Sequence, residues 1–133
     1  MNKQELCKMA IDALKNSYSP YSNCCVGAAL LCKNGNVYTG CNIENASFSP
    51  TICAERVAFS KAVSEGEREF EAIAIAGKKD DNLTAFSPCG VCRQFMAEFC
   101  SADFKILVVT NDKDFNEYAL NELFPNSFNL KEI

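Results

Sequence analysis

The sequence predicts an α/β fold, a three-layer sandwich with helices on both faces of one sheet, and two observations predict it. Helix-period and strand-like apolar segments follow one another in the order helix, hairpin, helix, strand, helix, strand, so that the later strands run parallel through right-handed crossovers. Asn34-Gly35 lies between two apolar runs, a strong short-range hairpin signal. With 133 residues, 48% hydrophobic and 23% charged, the chain is long enough for one packed core and too short for two. Residues 1–133 are therefore read as one domain.

The elements follow in order. Leu6, Met9, Ala10, Ala13 and Leu14 share one helical face, and Asn2 with Glu5 three residues on resembles a capping box, so the first element is a helix, with its end expected near Ser17. Tyr18-Ser19-Pro20-Tyr21-Ser22 breaks it. Val26 to Cys32 and Asn36 to Asn42 form the hairpin, and Ile43 to Pro50 is a polar stretch. Cys53 to Glu65 carries apolar residues in helical register and stops at Gly66. Glu71 to Gly77 reads as a buried strand, Lys78 to Ser87 as a polar loop, and Pro88 to Cys100 as a helix with Val91, Phe95, Met96 and Phe99 on one face. Lys105 to Thr110 is a second buried strand, and Phe115 to Phe124 suggests a short helix.

Composition excludes several functions. Seventeen acidic against thirteen basic residues give a net charge of −4, which offers no electrostatic support for a polynucleotide partner. The longest apolar stretch, Cys24 to Cys32, has nine residues against the roughly 20 of a membrane helix. The first residues do not read as a secretory signal, so the expected compartment is the cytoplasm, with no membrane partner. Nine cysteines, an odd number, are poorly explained by a disulfide framework there; metal ligation or catalysis by some and burial of the rest fits better.

Two cysteine sites open predicted helices. Cys89-Gly90-Val91-Cys92 follows Pro88, and Cys53 follows Pro50-Thr51. Unpaired N–H groups and the positive dipole end at a helix start favour thiolate, the form a metal binds. Residues i and i+3 fall on one side of a turn, a spacing that suits tetrahedral zinc, although Cys-x-x-Cys alone fits a redox pair equally well. Glu55, two residues after Cys53, distinguishes them: three thiolates leave one zinc position for water, and a carboxylate that is not a ligand can take the water's proton. Residues two apart point apart on a regular helix, so Cys53 must lie where the chain is not yet regular. Three thiolates and Zn²⁺ sum to −1, and Arg56 and Arg93, each beside a motif, are placed to donate hydrogen bonds to the sulfurs; the alternative is two exposed helix arginines.

Thr51-Ile52-Cys53-Ala54-Glu55-Arg56 followed by Ser87-Pro88-Cys89-Gly90-Val91-Cys92-Arg93-Gln94 resembles the paired signature of the small, homotetrameric cytidine deaminases. The likeness extends over Tyr18 to Ser22, Val26 to Leu30, Gly40 to Ala46 and Leu123-Phe124-Pro125. It implies a three-layer α/β/α sandwich with a mixed five-stranded sheet. It implies one zinc ion per chain on Cys53, Cys89 and Cys92, with Glu55 moving protons from water to ring N3 and then to the departing amino group. The zinc-deaminase superfamily is itself the general template for that chemistry. It further implies that Asn42 and Glu44 contact the sugar, that Ala54 offers its backbone N–H to the pyrimidine, and that Phe128 reaches a neighbouring subunit's site in a homotetramer. Read without the resemblance, Asn42 and Glu44 are loop polar residues and Phe128 is a core or surface aromatic.

One departure stands out. Where the family commonly has Phe after the Tyr-Ser-x segment, this chain has Cys24, followed by Cys25. Loss of that aromatic wall implies lower affinity or compensation by another aromatic, such as Phe48. Cys7, Cys32, Cys41 and Cys100 are expected to behave as small buried apolar residues. The expected function is hydrolytic deamination of cytidine, and of 2′-deoxycytidine, in pyrimidine salvage. The competing readings are a nucleoside-analogue deaminase of the blasticidin type, a structural-zinc or redox protein, and a polynucleotide editor.

Overall fold

In the computed structural model of the chain, which describes residues 1–132, Asn2 Oδ1 accepts the Glu5 N–H at 2.8 Å and starts α1 (Lys3–Ala13). A 3₁₀ turn, Leu14–Asn16, ends it. Then come β1 (Cys24–Cys32), β2 (Val37–Cys41), α2 (Ala54–Ser64), β3 (Phe70–Lys79), β4 (Asn82–Thr84), α3 (Gly90–Phe99), β5 (Lys105–Val109), β6 (Phe115–Ala119), α4 (Leu120–Leu123) and a last 3₁₀ turn, Leu130–Glu132. The strands make one mixed sheet in the order β2-β1-β3-β5-β6, with β4 pairing the outer part of β3. The pair β3–β5 is parallel and the others are antiparallel. This is the expected five-stranded mixed sheet with one short strand added.

The strand period of two sends alternate β1 and β3 residues to opposite faces, and each face is covered by helix. Leu6, Cys7, Ala10 and Leu14 of the first helical segment pack on Ala29, Ala74, Leu107 and Val109. On the other face Ala54, Ala58 and Phe59 of α2 and Cys92 and Met96 of α3 pack on Ala28, Leu30, Ile73 and Ile106. Phe59 anchors an aromatic cluster with Phe70, Phe95 and Phe104, at centroid separations of 5.1, 5.9 and 6.1 Å. No helix among the described residues is long and apolar enough to cross a membrane.

Two segments differ from expectation. The stretch read as a polar loop is largely a hairpin: β3 continues to Lys79, Asp80 and Asp81 turn the chain at φ +52° and +64°, and β4 returns along it. Positive φ at both central residues is the twist-compatible geometry for a two-residue turn, and Asp tolerates it without the glycine that usually signals it. Likewise Phe115–Ala119, read as helical, is an edge strand on β5, leaving only Leu120–Leu123 helical. The Asn111 side chain fixes that reversal by accepting the N–H groups of Lys113 and Asp114, both at 2.8 Å.

A close approach between α2 and the sheet sets the position of the site. A Cβ at Gly40 on β2 would lie 2.6 Å from the Ala54 carbonyl oxygen and 2.7 Å from the Ala58 nitrogen. Glycine there lets the first turn of α2, with Ala54 and Glu55, rest directly on the strand.

Candidate active site

The starts of α2 and α3 converge. Cys53 and Cys89 are the N-cap residues, both with extended backbone (φ −78°, ψ 155° and φ −69°, ψ 168°), while Cys92 lies in the first turn of α3. The extended Cys53 resolves the spacing problem noted above, since the helix begins only at Ala54. Cys53 Sγ and Cys89 Sγ are 3.6 Å apart, and the three sulfurs of Cys53, Cys89 and Cys92 lie within 4.8 Å of one another. Zinc–sulfur bonds of about 2.3 Å in a tetrahedron require sulfurs about 3.8 Å apart, so the donor set fits a zinc ion. Among the described residues this is the group that gathers three metal-ligating side chains.

Charge around the sulfurs agrees with that fit. The Cys53 thiol is drawn down to about 5 by hydrogen bonding to Cys92, then to Arg56 and Cys89, against the opposing effect of burial. Cys92, as the partner in that hydrogen bond and fully buried, is pushed far up. Arg56 Nη2 donates to Cys53 Sγ at 3.6 Å. Its Nε is buried with no acceptor among the described residues, a spare positive donor beside a cluster whose metal-loaded charge would be −1. Arg93 departs from the expected role. Its Nε donates to the Pro88 carbonyl at 2.7 Å and its Nη1 to the Leu123 carbonyl, so it ties the segment before α3 to the C-terminal region instead of reaching a sulfur.

Glu55 is 4% exposed, and burial pushes its carboxyl up to about 7, with the Cys53 charge adding to the effect. It lines a cavity of about 260 Å³ together with Asn42, Glu44, Ala54, Phe86 and Cys89. That cavity adjoins another of about 360 Å³, and Glu44 and Thr51 line both. Larger hollows of about 500 Å³ elsewhere bring together no group of three metal-ligating side chains among the described residues, so size does not mark the site. Cys24 lies outside this three-sulfur cluster, its thiol donating to the Ser22 carbonyl at 3.7 Å.

The segment carrying Asn42 and Glu44 is laid beside Cys53 by short ladders. Ile43 and Ile52 exchange backbone hydrogen bonds, both 3.0 Å, and Glu44 N donates to Tyr18 O at 2.8 Å. Asn42 Oδ1 accepts from Val26 N at 2.9 Å and from the Ser17 hydroxyl, while Nδ2 donates to Cys24 O at 2.8 Å. Both oxygen lone pairs are thus used, and one amide N–H remains. Glu44 Oε1 accepts the N–H groups of Tyr21 (2.9 Å) and Ser22 (3.1 Å), and Oε2 accepts the Ser22 hydroxyl. These bonds, that of the Ser22 hydroxyl foremost, hold its carboxyl below the usual range. About one of its four lone-pair sites remains free.

The structure brings Cys53, Cys89, Cys92, Glu55, Ala54, Asn42, Glu44 and Arg56 together. It leaves Phe128 outside: the residue is 60% exposed, and its carbonyl is held by Gln94 Nε2 at 3.1 Å. Phe48, 77% exposed, lines the adjoining cavity and not the one holding Glu55. Ser17, Ser22 and Phe86 were missed by sequence reasoning. A signal for Phe86 existed in Gly77, since glycine inside a strand marks close approach by another segment.

Known proteins agree with this geometry. Residues 1–108 match the family model of the cytidine and deoxycytidylate deaminase zinc-binding region. A cytidine deaminase of Halalkalibacterium halodurans is 47% identical over 133 residues, covering 100% of this chain and 98% of that protein. One of Sporosarcina psychrophila is 41% identical over 133 residues, covering 100% and 96%. The crystal structure of cytidine deaminase from Burkholderia pseudomallei superposes with a TM-score of 0.88 at 38% identity, over 96% of this chain and 100% of that one. The family match spans most of the chain and includes all three sulfurs and the buried carboxylate, so this chain belongs to the cytidine and deoxycytidylate deaminase zinc-binding family.

Proposed function

We propose that the whole chain acts as one catalytic domain that hydrolyses cytidine, and 2′-deoxycytidine, to uridine or deoxyuridine and ammonia. The observation that carries this reading is the buried Glu55 lining the same cavity as Cys53 and Cys89, two members of the three-sulfur cluster. Zinc on Cys53, Cys89 and Cys92 would supply Lewis acidity that makes water a competent nucleophile near neutral pH. Glu55 takes a proton from the attacking water and delivers it to ring N3, then carries the remaining proton from the new C4 hydroxyl to the exocyclic nitrogen as that hydroxyl becomes the carbonyl. A C4–O bond forms, the C4–N bond breaks, and ammonia leaves. Burial suits the carboxyl to both accepting and donating a proton.

Asn42 and Glu44 supply complementary leftovers: one N–H and about one lone pair, which together match a hydroxyl that accepts from one and donates to the other. A free base lacking the sugar leaves both unmet, which favours the nucleoside. Ala54 N–H, in the uncapped first turn of α2, faces no intrahelical acceptor and is free for the pyrimidine carbonyl. The net charge of −4 supports a small nucleoside over a polynucleotide. Nine free cysteines support a reducing compartment, the cytoplasm.

Two outcomes test the reading. Protein loaded with one zinc per chain should convert cytidine to uridine with stoichiometric ammonia, lose activity on chelation and regain it with zinc; zinc-loaded protein that releases no ammonia refutes it. The exposed Phe128 supports the proposal of a homotetramer in which that ring completes a neighbour's site. Sedimentation should then show a tetramer, and a fully active monomer would overturn the shared-site proposal.

A further inference from the structure

The β3–β4 hairpin returns the chain toward the site. Thr84 pairs with Gly77, and two residues later Phe86 folds its ring onto that glycine. A Cβ at position 77 would lie 1.7 Å from Phe86 Cδ2 and 2.5 Å from Cε2, so the ring occupies the space that any other residue would fill. Gly77 pairs with Val26, whose side chain joins the core beneath α2 and α3, the face that carries the sulfurs. Seated in this notch, the half-buried ring borders the cavity that Glu55 and Cys89 line.

Phe86 is the aromatic residue of that cavity; its apolar companions are Val26, Ile52, Ala54 and Ile75. Aliphatic groups can bury a flat heterocycle, but an aromatic ring also stacks on it. Cys24, paired with Lys79 one same-face row farther along β1, contributes only a thiol.

We propose that Phe86 is a substrate-binding residue, the wall against which the pyrimidine ring lies, seated there by Gly77. This inference rests on the cytidine deaminase reading. The residue touches the base and not the departing atoms, so its loss weakens binding of substrate and product alike and leaves the chemical step nearly intact.

The test uses the zinc-loaded protein and Phe86→Leu, with KM and kcat for cytidine, calorimetric affinity for the product uridine, zinc content and melting temperature as readouts. The expected result is a KM about tenfold higher, kcat within about threefold of the parent, and uridine affinity weakened by a similar factor, as loss of one base–aromatic stack implies. Phe86→Tyr, which keeps the ring, should stay within about twofold of the parent on the same scale. Phe86→Met removes the ring at similar volume and replaces the Leu variant should that one not fold. Unchanged KM and uridine affinity in the ring-less variant overturn the proposal, as does a fall in kcat and melting temperature alone, which marks a structural role. Failure of the parent to turn over cytidine would instead sink the deaminase reading, so the two failures are distinguishable.

Discussion

Glu55→Gln should lower cytidine turnover by about 10³-fold or more while the protein stays folded and keeps its zinc. The side chain is 4% exposed at the start of α2, and the amide matches the carboxylate in shape. Removing a buried charge does not penalise folding, and the three sulfurs are untouched. What disappears is a group that can accept a proton from water and release it to the base, and an amide does neither at neutral pH. Steady-state kinetics, metal content and thermal melting decide the matter together. A variant that retains more than a tenth of the parent's turnover would mean that the buried carboxyl is not the proton carrier.

Cys92→Ala should abolish zinc retention and activity together and lower the melting temperature. Cys92 is fully buried in the first turn of α3, where its sulfur completes the cluster and its side chain joins the core with Met96 and Ile106. With one of three sulfurs removed, zinc affinity should fall by at least about 10²-fold, since even loss of an outer-shell partner commonly costs 10 to 100-fold. A ligand bound at about 100 times its Kd stabilises the native state by about 2.7 kcal/mol, and that contribution goes with the metal. Cys100→Ala is the matched control: it is also a cysteine of α3's end, with its thiol pushed up to about 12 by burial, but it lies outside the sulfur cluster. It should keep one zinc per chain. Stoichiometric zinc in Cys92→Ala, measured by atomic absorption, would contradict the assigned ligand set.

The legible parts of the site share one property: the interacting atoms are close in sequence. Cys89 and Cys92 are three residues apart across one turn, and Glu55 is two residues from Cys53, so local geometry and helix-start electrostatics pointed to metal and proton chemistry. The capping of α1 by Asn2 and the Asn34-Gly35 hairpin were readable for the same reason. Asn42 and Glu44 were named through family resemblance, but their hydrogen-bond partners were not visible. Those partners, Ser17, Val26 and Ser22, are 16 to 25 residues away and are brought near by the ladders around Ile43.

The errors have the opposite origin. Asp80-Asp81 lacks the glycine that marks a tight turn, and β4 exists because pairing with β3 compensates for two residues at positive φ. Phe115–Ala119 took strand form because β5 offered an open edge, a neighbour that no local pattern specifies. Arg93 sits next to a ligand in sequence, yet its guanidinium is drawn to the carbonyls of Pro88 and Leu123, the latter 30 residues away.

By itself the sequence determined the kind of chemistry: which residues can carry thiolate, which carboxylate stands at a helix start, and the alternation of helix and strand that yields a layered α/β fold. Only the tertiary structure decided how these meet. It brought Cys53 and Cys89, 36 residues apart, to 3.6 Å, buried Glu55 enough to raise its pKa, and seated Phe86 on Gly77 at the cavity's edge. The division follows from range: backbone geometry and capping act over a few residues and leave their mark in short patterns, whereas burial and cavity shape depend on every layer that packs around a point.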